Sequence, residues 1–357
     1  MRIQCNEVHP VCGSCERHGS VCEWGRPGQP STTTSQAPKA KAYDIRPKQQ
    51  NSLPAPSKAS ALEESTERRL LELRLLHQFM AETGLSISVP GDPGVQEMAL
   101  RTPKLAFKHT ALLYSIYTIS ALHLSKLEPQ DPSHDEIYQR YLSLTLRDHR
   151  IDVANLSKAN ADAAHCTSNY PRICVFAQLQ ERDLNPYAPP REWMQMTNVT
   201  GYSLNNSAWK LIADDKNSIL RSMIEKAPGL TTREGGLRDD ASLFQEENRR
   251  ALQYLMRRTE TQIVNETWDE KIQTAYESTL SILGAAQLAI SANEPRATIF
   301  RRLILVPTLV ERDFTELVNK EQPRALVIMA YYFALLHDFR DFWWIGNAGA
   351  REVRRHL

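Results

Sequence analysis

The chain has 357 residues, enough for one large or two ordinary domains, and its formal charge of +1 excludes a strong overall bias toward nucleic acid or anionic membrane. Residues 1–25 are polar with no apolar signal core, and the longest apolar run, Ala325 to Leu336, falls well short of the roughly 20 residues that span a bilayer. These features predict a soluble, intracellular protein without a membrane span, in a reducing compartment where clustered cysteines hold metal rather than form disulfides.

The first element is a cysteine segment over residues 1–25. Cys5, Cys12, Cys15 and Cys22 have six, two and six residues between them. Zinc favours tetrahedral thiolate ligation, and Cys12-Gly13-Ser14-Cys15 offers the knuckle that brings two sulfurs to one ion from a single tight turn. Four unrelated thiols in a polar terminus are the alternative, and the density and symmetry of the spacing weigh against it. A haem or redox C-x-x-C reading lacks a following His or an enclosing βαβ pattern. Residues 26–59 are rich in Pro, Ser, Thr and Lys with almost no large apolar side chains, which predicts a disordered linker.

From residue 60 to 357 the pattern predicts an all-α body. A capping box at Ser60 and Glu63 opens a helix whose apolar face is Leu70, Leu73 and Leu76/His77. Residues 86–103 are expected to be loop with one short turn of helix. Strong helices follow over 104–127, where Leu112, Ile116 and Ile119 lie beside a stripe of Leu113, Tyr117 and Leu124, and over 134–157. Asp135 and Glu136 near the start of the second suit the helix macrodipole. Further helices are predicted over roughly 191–213, 217–227, 241–264, 268–292, 311–320 and 323–345. The apolar runs 172–180 and 300–310 are assigned to helix because their surroundings are helical.

The cysteine segment resembles the fungal binuclear zinc-cluster (C6 finger) transcription factors, whose pattern is two C-x2-C-x6-C halves joined by a proline-bearing loop. The match runs from the family's third cysteine to its sixth and includes Glu7, Pro10 and Arg17-His18-Gly19. The resemblance implies zinc at Cys5, Cys12, Cys15 and Cys22, with Cys12 in a place that bridges two ions. Arg2 and Gln4, the tail of the family's basic run, and Arg17 are the implied DNA contacts. It also implies a nuclear regulator of RNA polymerase II transcription that reads CGG-type half-sites. The family's first two cysteines and most of its basic run have no counterpart here. At most one Zn2+ is therefore expected to be well coordinated, against two in the complete cluster, and a single site using all four thiols is stoichiometrically possible. DNA binding by the chain as it stands is expected to be weak. An upstream exon or start is favoured over a natural remnant as the reason.

The body resembles the fungal-specific regulatory domain of sterol-uptake-control-type regulators. The likeness lies in "PKLAFKHTALLYSIYTISALHLSKL", "YQRYLSLTLRDHRIDVANLS", "EWMQMTNVTGYSLNNSAWKLI" and "PRALVIMAYYFALLHDFRDFWWIGNAG". It implies co-regulator partners, a homodimer and an apolar effector such as a sterol, with lipid or specialised-metabolite genes as targets. No effector-binding residue is assigned. Phe342, Trp343 and Trp344 are candidates to line such a pocket, although ordinary core packing accounts for them more simply. Residues 160–180 look shorter and more broken than the family's apolar helix.

His109, His123 and His149 are read as structural histidines, and Cys166 and Cys174 as buried thiols. No phosphate-cradling glycine loop, nucleophile elbow or zinc-protease helix is present, so no enzyme activity is expected. The competing reading is a helical interaction protein, a truncated paralogue deficient in DNA binding and acting through its partners.

Overall fold

A computed structural model describes residues 65–90, 92–225 and 241–356. The cysteine segment, the linker and the Ser60/Glu63 capping box lie outside these residues. Among the described residues there is no strand, and the expected all-α body is what forms.

Helix α1 begins at Thr66, where the Arg68 N–H donates to the N-cap Ser65 Oγ at 3.1 Å. It runs to Gln78, widens into a π turn over Phe79–Thr83 and closes as Gly84–Ser86. The predicted apolar face is corrected here. Leu70 and Leu73 are exposed, whereas Leu75 and Phe79 are fully buried with Leu71 packed alongside. The row Leu71, Leu75, Phe79 at i, i+4, i+8 offers one continuous apolar ridge, which two leucines three apart cannot match.

Helix α2, Pro93–Ala106, replaces the predicted loop. Proline is well suited to a first helical turn, so Pro93 starts this helix rather than preventing it. Three turn-type hydrogen bonds, from the N–H groups of Phe107, Lys108 and His109, then separate it from α3, Thr110–Leu127. Helix α3 is the centre of the body: Ile116, Ile119, Ala121, Leu122 and Leu124 are buried around its whole circumference, and α4 and α5 pack along it. Helix α4 spans Ser133–Ala154, and Thr118 of α3 meets Thr145 of α4 through their hydroxyls at 3.1 Å.

Helix α5, Ala161–Gln178, is continuous through Pro171, against the expectation of a broken segment. Helix α6 runs Arg191–Met194, opens into a π segment over Gln195–Gly201 and closes as Tyr202–Ile212. The start of α7, Ile219–Glu225, is held by Asp162 of α5, whose carboxylate accepts from the Ile219 and Leu220 N–H groups at 2.8 and 3.0 Å.

The single helix expected over 241–264 is instead a run of short turns: Ala241–Phe244, Glu246–Arg249 and Arg250–Met256, then α8 at Glu260–Asn265. Two causes are visible. A Cβ on Gly284 would stand 1.9 Å from the Asn248 carbonyl oxygen, so the backbone of this segment lies directly on α9. Thr259 and Gln262 then form a reciprocal capping box that starts a new helix.

Helices α9 (Glu270–Ser291), α10 (Arg296–Leu309) and α11 (Arg312–Asn319) match the predicted segments closely, whereas α12 (Pro323–Leu335) starts where expected but ends ten residues before the predicted 345, passing into a tighter turn over Leu336–Phe339. The Trp268 ring lies between two guanidinium groups, Arg258 at 4.7 Å and Arg324 at 5.3 Å, and Arg324 is paired with Glu266 at 2.8 Å. A final helix not predicted from the sequence, α13, spans Ala348–His356. It is fastened by a two-point ion pair from Arg182 to the fully buried Glu352, at 2.8 and 2.7 Å.

Candidate functional site

Helices α5, α6, α7, α10 and α12 do not close completely on one another. They leave a cavity of about 260 Å³. Its walls are mainly apolar: Ile173 on α5, Trp193 on α6, Met223 on α7, Ile304 and Leu305 on α10, and Tyr332 on α12. Trp344 closes one side, held by its ring N–H donating to the Ile87 carbonyl at 2.9 Å and by an edge contact to Phe176. Such a volume stands near the lower end of the roughly 300–1,000 Å³ of small-molecule sites, and an apolar lining with a few placed polar groups is their usual character.

Three of the polar groups come from one face of α5. His165, Asn169 and Arg172 follow at i, i+4 and i+7. The His165 Nδ1 lies 2.7 Å from Asn205 Oδ1 on α6, and its Nε2 lies 3.1 Å from Asn169 Nδ2. An amide oxygen can only accept and an amide nitrogen only donate, so Nδ1 carries the proton and Nε2 accepts. The Asn169 Oδ1 in turn accepts from Arg172 Nη2, and Arg172 Nε donates to the Ser168 carbonyl at 3.0 Å. Burial holds the His165 imidazole at about 4, well below its ordinary value, so it is neutral at physiological pH.

Gly201, at the end of the π segment, makes room for this arrangement. A Cβ there would stand 2.4 Å from Arg172 Nη1. Across the cavity Asp92 is bound by Arg301, whose Nε lies 2.8 Å from Asp92 Oδ2.

The sequence-derived candidates divide. Of Phe342, Trp343 and Trp344, only Trp344 lines the cavity; Phe342 stacks on Phe300 at 4.8 Å, and Trp343 stacks on His123 at 4.4 Å. His123 is also bonded to Thr83 through Nδ1 at 2.9 Å, as a structural histidine should be. His149 keeps a buried Nδ1 without a hydrogen-bond partner, and burial holds it near 4. Cys166 and Cys174 are fully buried free thiols, and burial pushes both far up. His165, Arg172 and Asn205 were not singled out from the sequence; the one available signal was three polar residues on one face of an otherwise Ala-, Cys- and Val-rich helix.

Cys5, Cys12, Cys15, Cys22, Arg2, Gln4 and Arg17 lie outside the described residues. Among the described residues one other cluster brings metal-capable atoms together: Glu128, Asp131 and His134. His134 Nε2 sits 2.7 Å from Glu128 Oε2, and Arg74 donates to the same carboxylate at 3.2 Å, so the group is a hydrogen-bonded clasp at the α3–α4 turn. His134, then Arg74, hold the Glu128 carboxyl below its ordinary value. No helix among the described residues is long and apolar enough to cross a membrane.

No protein-family model matches the chain. A Zn(2)-C6 fungal-type transcription factor, afumD, of Aspergillus fumigatus is 29% identical over 337 residues, covering 93% of this chain and 81% of its own length. A second Zn(2)-C6 fungal-type transcription factor, from Gibberella zeae, is 24% identical over 405 residues, 99% of this chain and 78% of its own. At 99% of the chain, the second alignment takes in nearly every residue. Over most of its length the chain is thus similar to Zn(2)-C6 fungal-type transcription factors.

Proposed function

We propose that this chain is a fungal zinc-cluster transcription factor built of a zinc-binding, DNA-reading arm over residues 1–25, a linker over 26–59 and a helical regulatory body over 60–357 whose cavity takes an apolar effector. The observation that carries the effector reading is the apolar cavity formed by α5, α6, α7, α10 and α12, with Trp193, Leu305, Tyr332 and Trp344 in its wall. An empty apolar cavity lacks the contacts that its lining atoms would otherwise make, and filling it returns them. A sterol or other lipid-like molecule suits such walls, and genes of lipid or specialised metabolism are the corresponding targets.

In the arm, Cys5, Cys12, Cys15 and Cys22 are the zinc ligands, and Arg2, Gln4 and Arg17 contact DNA at CGG-type half-sites. The family implies zinc, DNA and the nucleus; which residues serve them in this chain, the number of ions, and any homodimer or co-regulator are part of this proposal. Two measurements on the purified chain test it. Metal analysis should find zinc that Cys12→Ser removes, and zinc retained at the wild-type level would refute the ligand assignment. Titration with a duplex bearing CGG half-sites should show only weak, zinc-dependent binding, and a steep salt slope with strong sequence preference would contradict that expectation. Binding indifferent to zinc would refute the arm's role.

A further inference from the structure

One charge in the cavity wall has no counter-charge among the described residues. Of the charged side chains that line the cavity, Asp92 and Arg301 are paired with each other, which leaves the guanidinium of Arg172. Arg172 is buried, and its three hydrogen bonds go to uncharged acceptors: the Ser168 carbonyl, the Ser168 hydroxyl at 3.5 Å and the Asn169 amide oxygen. No carboxylate among the described residues pairs with it, and its Nη1 donates to none of their atoms. The nearby imidazoles, His149 and His165, are both held neutral by burial.

Burying a cation without a counter-ion is costly, and such sites persist where something supplies the opposite charge. The guanidinium is also oriented. Nε and Nη2 are fixed by Ser168 and Asn169, the latter through the His165–Asn205 hydrogen bonds, while Gly201 leaves open the space beside Nη1. A planar donor group held in one direction at the end of an apolar chamber is the complement of a carboxylate on an apolar body.

We infer that the cavity binds an apolar carboxylic acid, as its anion, with the carboxylate on Arg172 and the apolar part against Ile304, Leu305, Tyr332 and Trp344. This deepens the effector reading and rests on it for the cavity being a ligand site. It excludes a neutral sterol or alcohol as the preferred occupant, because such a molecule would leave the Arg172 charge buried and unmatched.

Decanoate and 1-decanol, matched in chain length, are the probes, titrated into the full-length protein at neutral pH with tryptophan quenching as the readout. Decanoate should bind at least about tenfold more tightly than 1-decanol, the difference that a hydrogen bond to a charged group supplies. Arg172→Met should bring the two probes to parity, and Arg172→Gln, which keeps an amide donor for Asn169, does the same where the first variant fails to fold. Leu305→Trp, which fills the chamber, should abolish binding of both. Equal affinity of the probes in the wild type, or a preference that survives both Arg172 substitutions, overturns the anion inference and leaves the apolar-effector reading standing. Binding of neither probe overturns both.

Discussion

Asn205 Oδ1 accepts a 2.7 Å hydrogen bond from His165 Nδ1, and this bond fixes the tautomer on which the polar end of the cavity depends. Both residues are buried, and they come from helices separated by a loop with no regular structure of its own. Asn205→Leu removes the acceptor and leaves a buried donor without a partner. It should cost about 1–3 kcal/mol of stability, read as a lower urea midpoint at an unchanged m-value. A neutral result would mean that the pair is not formed in solution.

Acid sensitivity follows from three histidines. Burial holds His123, His149 and His165 each at about 4, against the ordinary 6.5 that each regains on unfolding. Below pH 6.5 the unfolded chain therefore binds protons that the folded chain does not. Stability is complete above about 6.5 and falls as pH drops from there toward 4, at up to about 1.4 kcal/mol per pH unit for each group. The urea midpoint should drop between pH 7 and pH 5, and His165→Gln should make the drop smaller. A midpoint independent of pH across this window would contradict the burial of these rings.

Gly201 and Arg172 should be coupled. A Cβ on Gly201 falls 2.4 Å from Arg172 Nη1, so Gly201→Ala forces the guanidinium aside and should destabilise the fold by about 1–3 kcal/mol. In an Arg172→Met background the same substitution should cost less, a coupling that a double-mutant cycle measures directly. Strict additivity would place the two groups apart.

The C-terminal helix depends on one ion pair. Arg182→Met strips the buried Glu352 of its bidentate partner and should cost about 3–5 kcal/mol, because a buried charge is left behind. Burial already raises the Glu352 carboxyl, with Arg182 opposing that rise, so loss of Arg182 raises it further. The carboxyl is neutral below its folded value and must ionise above it. The variant's deficit should therefore grow from pH 5 to pH 8 in thermal melts.

Thiol reactivity separates the two sets of cysteines. Cys166 and Cys174 are fully buried and held as thiols, so they should resist iodoacetamide in the folded protein and react only in denaturant. Labelling of either at the rate of a free thiol under native conditions would refute the packing of α5.

Much of the body could be read from periodicity because side-chain burial there follows the helix period itself. The stripes through Leu112, Ile116 and Ile119 lie on the most buried helix of the fold, and α9, α10 and α11 fell within a few residues of their predicted places. Two segments fold otherwise than they read: residues 86–103 read as loop and 160–180 as broken, yet α2 contains Pro103, α5 contains Pro171, and tertiary packing carries both helices through. The segment over 241–264 has helical composition, but contact with α9 at Gly284 sets its path, and a contact so distant in sequence leaves no local pattern.

The cavity was hidden for the same reason. The His165, Asn169, Arg172 row is a pattern on one helix, but its meaning depends on Asn205 and Gly201, which other elements bring to it. Trp344 could be suspected from its neighbours, whereas nothing local distinguishes it from Phe342 or Trp343, which pack elsewhere.

The central claim, that occupancy of this cavity sets the output of a zinc-cluster transcription factor, is tested most directly by Leu305→Trp. Leu305 lines the cavity, and the larger ring would occupy it. The measurement is transcription from promoters that the wild-type protein occupies, in cells holding either form, with promoter occupancy determined alongside. The account predicts equal occupancy with altered transcription that no longer responds to an added apolar acid. Unchanged, still responsive transcription at equal occupancy would contradict it.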